Sequence, residues 1–197
     1  MNIYKLYADS DKGKHPYVLS EEHGTHLATL FDSPLPTDWH PPKFSIHRRS
    51  GKLADAISWQ TQSPLLSARA VQLFSQSAPN CAEYRPFAEI KGKPYFVMNV
   101  LAIEPSSILD EERSTFGHAG QVYCYVFKAD KQRGLPPMFR VTSGGYPNPE
   151  ILVTEAIPRM VVAECLTGFE FRDPNNPRET KDLYLGKDLN IYPGVLP

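Results

Sequence analysis

The sequence predicts an α+β fold in which two helices lie on a mostly antiparallel central sheet, with long proline-rich loops between the elements. Three observations lead to this prediction: a strand–helix–strand pattern that occurs twice, several apolar runs of strand length, and 19 prolines in 197 residues. The two similar units run from Leu65 to Arg85 and from Leu152 to Arg172. They align without a gap at a constant offset of 87 residues (152 − 65).

Each unit predicts one amphipathic helix between two strands. Two apolar residues precede a hydroxyl residue that can cap a helix, Ser67 or Thr154, and apolar positions then recur at helical spacing. The predicted buried stripes are Ala70, Leu73, Phe74 and Ala78 in the first helix and Ile157, Met160, Val161 and Cys165 in the second. Pro79-Asn80 ends the first helix and Gly168 the second. Because Pro158 lacks an N–H group, the second cap is Thr154 or a residue slightly later.

Upstream of the first unit, the chain is expected to be mostly irregular. Residues 2–8 alternate in a way that predicts an N-terminal strand, and residues 44–48 predict a short one. Residues 33–42 are too rich in proline for regular structure, because each proline removes a donor and restricts its predecessor. Trp39 is expected to fix this loop to the core. Residues 52–58 predict one or two helical turns.

The region between the two units predicts the central strands. Residues 82–90 and 94–103 form the clearest hairpin candidate. Residues 95–103 and 121–129 are apolar on both alternating faces, which is typical of strands covered on both sides. Residues 138–142 predict a further strand, and the chain after Arg172 predicts a turn-rich surface tail. Asn99, the polar exception in its strand, is expected to satisfy a nearby backbone group.

Length and composition limit the classes of function. The chain suits a single domain over residues 1–197, with an N-terminal region to 60, a core at 61–173 and a tail from 174. A net charge of −1 argues against a general nucleic-acid binder or a polybasic membrane binder. Three cysteines without a CxxC motif indicate a reducing compartment. The sequence has no signal-peptide core and no apolar run of membrane length, so we expect a cytoplasmic protein.

The reactive residue types form no pattern that predicts catalysis, a cofactor or a metal. His23 and His26 stand three residues apart, as metal ligands would on a helix, but an intervening glycine favours a loop. Glu21 and Glu22 beside His23 match an acid/base pair or, more simply, a solvated loop. Ser143-Gly144-Gly145 matches a phosphate cradle or a tight turn, and the absence of a Walker lysine favours the turn. The cysteines lie in apolar stretches and are expected to pack in the core.

Six short motifs follow one another in a distinctive order. They are LS at 66–67 with its helix, YFVMNV at 95–100, DEERS at 110–114, MFR at 138–140, ILVTE at 151–155 and TGFEF at 167–171. Their order resembles a bacterial immunity-protein family that was first described as a domain of unknown function from myxobacteria. The resemblance spans residues 35–173. Members of that family are encoded beside polymorphic toxins and secretion-system effectors.

The resemblance implies a protein that binds and neutralises a cognate toxin, encoded by the adjacent gene, without catalytic residues or a cofactor. Specificity then lies in loops on a fixed core, and residues 104–120 are the expected partner-binding region. The candidate contact residues are Asp110, Glu111, Glu112, Arg113, Phe116 and Tyr146. The acidic side chains would meet a basic cleft, and the aromatic ones would act as anchors. The oligomeric state stays open.

Two other classes of function stay open. A small enzyme would assemble its site from scattered residues such as His118, Glu83 and Arg85, and a deep polar pocket would favour it. An effector chaperone or adaptor would bind the toxin away from its active site. Arg85 and Arg172 also have a simpler interpretation, because arginines at equivalent points of two similar units are expected to make equivalent salt bridges.

Overall fold

The computed structural model describes residues 1–9, 17–20, 33–47, 52–59, 63–117, 120–175 and 183–184. The class is α+β, as predicted, and within these ranges the helices α1 (Ala68–Ser77) and α2 (Ala156–Ala163) accompany mostly antiparallel strands. The strands are divided between two larger sheets instead of one central sheet, because each strand–helix–strand unit builds a sheet of its own.

Strand pairing defines a four-stranded and a seven-stranded sheet. The strands are β1 (Ile3–Ala8), β2 (Tyr17–Ser20), β3 (Phe44–His47), β4 (Ala56–Ile57), β5 (Leu65–Ser67), β6 (Ala82–Ile90), β7 (Lys93–Val100), β8 (Ile103–Pro105), β9 (Thr115–Phe116), β10 (Val122–Cys124), β11 (Met138–Ser143), β12 (Tyr146–Pro147), β13 (Ile151–Thr154), β14 (Phe169–Arg172) and β15 (Leu183–Tyr184). The four-stranded sheet has the order β4-β5-β7-β6. The larger one has the order β12-β11-β13-β1-β14-β15, with β8 parallel to β11. Two small pairs, β2–β3 and β9–β10, lie outside these sheets.

The two units share one topology. In unit 1 (β5, α1, β6) both strands pair antiparallel with β7, which lies between them, and in unit 2 (β13, α2, β14) both pair antiparallel with β1. The offset of 87 residues is kept, since β6 begins at Ala82 and β14 begins at Phe169. The similarity predicted from the sequence is therefore confirmed. The middle strand differs in origin, because β7 follows unit 1 directly whereas β1 comes from the N-terminus.

A shared core joins the two units through their helices. The buried positions Ala70 and Phe74 of α1 correspond to Ile157 and Val161 of α2, and all four side chains belong to one apolar cluster with residues of both sheets. The Phe74 ring stacks on Phe169 of unit 2, with ring centroids 5.3 Å apart. The helices thus cover the inner face of each sheet, and each outer face needs a separate cover.

The outer face of each sheet is covered by an irregular segment. On the four-stranded sheet the cover is residues 33–47, which contribute Leu35 and Phe44 to a second apolar cluster. On the seven-stranded sheet the cover is residues 106–117 and 120–127, which contribute Leu109 and Tyr125 to a third. Trp39 behaves as predicted, since its Nε1 donates to the Pro86 carbonyl at 3.3 Å and its ring packs against the second cluster.

The two helices are capped differently. Ser67 Oγ accepts a hydrogen bond from the Ala70 N–H at 3.2 Å, which confirms the first cap. In the second unit the later of the predicted positions is confirmed, because α2 begins at Ala156 with Glu155 in the cap position and Thr154 is a buried strand residue. With this start, Pro158 is the third helical residue, where an N–H group has no intrahelical partner to lose.

Residues 52–58 form no helical turn, contrary to expectation, because this segment connects the two units in an extended conformation. The Asp55 carboxylate accepts from the Thr167 N–H at 3.0 Å and from Ser67 Oγ at 2.8 Å. The Ala56 N–H donates to the Thr167 carbonyl at 3.0 Å. Gly168, the predicted end of the helix unit, has φ +82, and a methyl group there would lie 2.2 Å from the Ala56 carbonyl oxygen. The close approach of the two units therefore requires this glycine.

The second predicted central strand, residues 121–129, is also wrong. Only Val122–Cys124 is a strand, and it pairs with β9 in a small sheet on the outer face of the seven-stranded sheet. Val122 and Tyr125 are buried against that face, whereas the Tyr123 side chain is 44% exposed. Of the aromatic residues in this stretch, Tyr125 and Phe127 pack in the third cluster and Tyr123 is exposed, so alternation along the sequence does not separate a buried side from an exposed one.

Other predictions are confirmed with small changes. The N-terminal strand is β1, the hairpin is β6–β7, and the short strand at 44–48 is β3. β11 is present, and it pairs with β13 and β8. β2 lies in a stretch expected to be irregular, and β15 pairs with β14 at a segment of the tail that was too short to classify from the sequence. His23, His26, Glu21, Glu22 and His118 lie outside the described residues.

Candidate functional site

The predicted acidic contact residues form a turn that Asp110 stabilises. Its Oδ1 accepts from the backbone N–H groups of Glu112 at 3.2 Å and Arg113 at 3.3 Å. The Asp110 carboxylate therefore shapes the turn. Glu111, Glu112 and Arg113 are exposed at its surface. Ser114 is buried and ties the turn to the following strand pair, because its Oγ accepts from the Val126 N–H at 3.0 Å.

The two predicted aromatic anchors lie on separate hairpins. Phe116 is the last residue of β9 and is 37% exposed, and Tyr146 opens β12 and is 72% exposed. The residues before Tyr146 are Gly144 and Gly145, with φ +66 and +89. Two consecutive residues with positive φ make a two-residue hairpin turn, so the tight-turn interpretation of Ser143-Gly144-Gly145 is confirmed.

The two hairpins meet through their glycines. A methyl group on Gly120 would lie 2.6 Å from the Gly144 Cα, so the chain after β9 touches the β11–β12 turn at backbone distance. The Tyr123 ring lies over Gly117, where a methyl group would come within 2.4 Å of it, and the Tyr123 hydroxyl donates to Gln121 Oε1 at 3.0 Å.

We call the exposed side chains of Phe116, Tyr123 and Tyr146 the aromatic tip. All three are exposed large apolar residues on the two contacting hairpins, and the acidic turn leads directly into β9. The sequence identified two of the three. It missed Tyr123 because residues 121–129 were interpreted as a buried central strand, and the neighbouring aromatic residues Tyr125 and Phe127 do pack in the core.

A polar cluster beneath the aromatic tip was not predicted. Lys5 of β1 is only 8% exposed, and its Nζ donates to the Tyr123 carbonyl at 3.1 Å. Tyr125 is fully buried, and its hydroxyl donates to Glu150 Oε2 at 3.1 Å. The Val122 N–H donates to Asn148 Oδ1 at 2.9 Å. These contacts attach β10 to the seven-stranded sheet.

Burial shifts the proton equilibria of this cluster. It lowers the pKa of Lys5, against the opposing effect of the Glu150 carboxylate. Burial and the same carboxylate raise the pKa of Tyr7 to about 12 and also raise the pKa of Tyr125. At neutral pH both phenols are therefore protonated donors. The sequence signal was Lys5 itself, a cation on the same face of β1 as Ile3 and Tyr7.

The residues considered for an enzyme have structural partners. Arg85 pairs with Glu83 at 3.3 Å, and Arg172 pairs with Glu170, so the expected equivalent salt bridges are confirmed. Asn99 Nδ2 donates to the Ser33 carbonyl at 2.9 Å and to Glu83 Oε1 at 2.8 Å. It thus satisfies a backbone group, as predicted. The Glu83 carboxylate therefore contacts both the Arg85 guanidinium and the Asn99 side-chain amide.

The cysteines differ in environment. Cys81 and Cys124 are buried free thiols, as expected, and Cys165 is exposed. The prediction that Cys165 packs in the core was wrong. α2 ends at Ala163, and the backbone has φ +51 at Cys165, so this side chain no longer follows the buried face of the helix. Leu166 is buried instead.

A groove of about 450 Å³ lies beside β3. Its described lining residues are Phe44, Ser45, Ile46 and Lys91. None of the residues considered for an enzyme site is among them.

Among the described side chains, no group of three or more His, Cys, Asp or Glu is placed to hold a metal ion. Within the same ranges, no helix has the length and apolar character that crossing a bilayer requires. Comparison with models of known protein families and with curated proteins returned no match.

Proposed function

We propose that this chain is an immunity-type protein that binds a cognate bacterial toxin and neutralises it by covering the toxin's active site. The aromatic tip is the observation that supports this proposal. Three large aromatic side chains project from two hairpins that are in backbone contact at Gly120 and Gly144. The order of the motifs in residues 35–173, which resembles the immunity-protein family, led to the same proposal.

The tip has the properties of a protein-binding surface. Exposed aromatic side chains supply large contact area with few rotatable bonds, and they dominate the binding energy of protein interfaces. The glycine contact fixes one hairpin against the other, so little ordering is required on binding. Exposed apolar patches mark interaction sites, and these two contacting hairpins carry three of the exposed large apolar residues of the described chain.

The acidic turn supplies a complementary charge. Glu111 and Glu112 are exposed, and the Asp110 side chain fixes the backbone that carries them. Carboxylates at this place attract a basic cleft and speed up association. The partner is therefore a toxin with a basic active-site cleft, which the tip fills while the chain itself performs no chemistry. The complex forms in the cytoplasm, where such a toxin would act.

Co-expression with the product of the adjacent gene tests the proposal. Growth of cells producing both proteins is scored, and the complex is then sought on a sizing column. Rescue of growth together with a stable complex is the expected result. Binding without rescue would indicate an adaptor, and the absence of both would contradict the proposal.

Substitution of Tyr146 tests whether the tip is the interface. Tyr146→Ser is expected to weaken the complex at least about 30-fold, because a central aromatic anchor contributes about 2 kcal/mol or more. Tyr146→Phe is the matched control, since it keeps the ring and should bind nearly as the wild type does. Equal affinities for the serine variant and the wild type would place the interface elsewhere.

A further inference from the structure

Lys5 departs from the pattern of the two units. It pairs with Leu152 and Arg172 in the seven-stranded sheet, as Val97 pairs with Leu65 and Arg85 in the four-stranded sheet. The two positions are therefore equivalent. In the four-stranded sheet this position is held by Val97, which packs in an apolar cluster. In the seven-stranded sheet it is held by Lys5, a cation that is only 8% exposed. A buried charge is costly, so its presence at a packing position needs another explanation.

The contacts of Lys5 point toward the aromatic tip. Its Nζ donates to the Tyr123 carbonyl at 3.1 Å and lies 4.8 Å from the centre of the Tyr125 ring. Both residues belong to the segment that carries β10, a strand that pairs with β9 and not with a strand of the seven-stranded sheet. Lys5 thus bridges the central strand of unit 2 and the backbone of an exposed tip residue.

The β9–β10 hairpin depends on such attachments. Its ladder pairs Val122 with Phe116 and Cys124 with Thr115, and the register shifts between them. A strand pair this short is not stable alone. Two further attachments, Val122 to Asn148 and Tyr125 to Glu150, hold the residues on either side of Tyr123. Among these attachments, Lys5 holds Tyr123 itself.

We propose that Lys5 is a positioning residue of the aromatic tip, which fixes the orientation of Tyr123 for the partner through the Tyr123 carbonyl. This role rests on the proposed function, because it assigns a purpose to the same surface. Lys5 does not touch the partner; it keeps the hairpin in its binding conformation, so that the complex forms without an ordering cost.

Hydrogen exchange on the free protein is the first test. Lys5→Met keeps the length of the side chain and removes its charge, and the valine at position 97 shows that an apolar residue fits this place in the fold. Exchange of the Val122 and Tyr125 amides should rise at least about tenfold in the variant, while β6 and β7 stay unchanged. Unchanged exchange in the hairpin would overturn the positioning role, whatever the partner.

A double-mutant cycle then tests whether the contact between Lys5 and Tyr123 contributes to partner affinity. The affinity for the product of the adjacent gene is measured for the wild type, Lys5→Met, Tyr123→Ala and the double variant. Each single change should weaken binding about tenfold, and the double variant should bind no more weakly than Tyr123→Ala. Lys131→Met is the charge control, because it removes an exposed cation outside the hairpin and should leave affinity unchanged.

The outcomes separate this inference from the proposed function. Additive losses, or a Lys5→Met variant that binds like the wild type, would overturn the positioning role and leave the immunity function standing. A wild-type protein that does not bind would make all four affinities immeasurable. That result would overturn the proposed function and, with it, the purpose assigned to Lys5.

Discussion

Unit 1 and unit 2 place the same kinds of residue at the same points of one topology. Each inserts a middle strand between two parallel neighbours, each packs its helix into the shared core, and each pairs a glutamate with an arginine two residues later. They differ on the outer face. There the middle strand carries Val97 and Asn99 in unit 1 and Lys5 and Tyr7 in unit 2.

The covers differ in the same way. In unit 1 the proline-rich residues 33–47 lie on the sheet, and Asn99 and Trp39 hold them by single hydrogen bonds to the backbone. In unit 2 the cover includes the β9–β10 hairpin, which Lys5 attaches to the sheet. The repeated features build the scaffold, and the features that differ present the exposed aromatic residues. We therefore expect the functional surface on the outer face of the sheets, where the two units differ.

Core truncation should have the largest effect and should show how equivalent the units are. Phe74→Ala is expected to cost about 3–5 kcal/mol in the free energy of unfolding, because it opens a cavity where the ring stacks on Phe169. Val161→Ala at the equivalent position removes fewer atoms and should cost less. Urea unfolding measures both. A larger loss for Val161→Ala would contradict a core shared equally by the two helices.

A glycine comparison should sharpen the account of how the units meet. Gly168 and Gly134 have φ +82 and +87, but only Gly168 has a backbone atom within van der Waals reach of an added methyl group. Gly134→Ala should cost about 1 kcal/mol for its conformation alone. Gly168→Ala should cost at least about 2 kcal/mol more, because the methyl group meets the Ala56 carbonyl. Equal costs in urea unfolding would show that the close approach is unimportant.

Alkaline pH should weaken both units through buried phenols. Burial raises the pKa of Tyr7 in unit 2 and of Tyr95 in unit 1 from 10.0 to about 12. The folded chain keeps these protons after the unfolded chain has lost them. Their contribution is thus complete below pH 10 and is lost as the pH rises toward about 12. The lowered pKa of Lys5 acts in the opposite direction, since stability from this group rises with pH up to 10.5.

Urea midpoints measured from neutral to alkaline pH test this balance. Tyr7→Phe should flatten the alkaline decline, and Lys5→Met should make it steeper, because the opposing contribution is gone. A Lys5→Met variant with a shallower decline would contradict the assigned direction of its pKa shift.

Charge reversal on the acidic turn should have the smallest effect. Glu111→Lys with Glu112→Lys should slow association with the toxin roughly three- to tenfold, mostly at low salt, because exposed charges act by steering. Glu89→Lys with Glu164→Lys, at two exposed positions outside the acidic turn, is the matched control, because it changes the net charge by the same amount. Stopped-flow association at two salt concentrations measures both. A control variant that slows association equally would show that only net charge matters.

The sequence was informative where local chemistry decides the structure. The Ser67 cap, the Gly144-Gly145 turn, the helix stripes and the β6–β7 hairpin follow from neighbouring residues and were predicted. Phe116 and Tyr146 were selected as candidate contact residues because large rings in polar loops stand out, and both are exposed.

The remainder depends on contacts between distant segments. Residues 52–58 became extended because Asp55 binds Thr167, which lies 112 residues further along the chain. Residues 121–129 do not form a central strand of the seven-stranded sheet, because β1 already occupies the position between β13 and β14. Lys5 could not be connected with Tyr123, 118 residues away, before the fold was known. No local pattern carries such information.

Hydrogen exchange on the complex with the adjacent gene's product tests the central claim most directly, because it reports which cover the partner occupies. Protection is predicted at residues 115–117, 120–124 and 143–147, with exchange at residues 33–47 unchanged. Protection confined to residues 33–47 or to the helices would contradict the assignment of the aromatic tip as the binding surface.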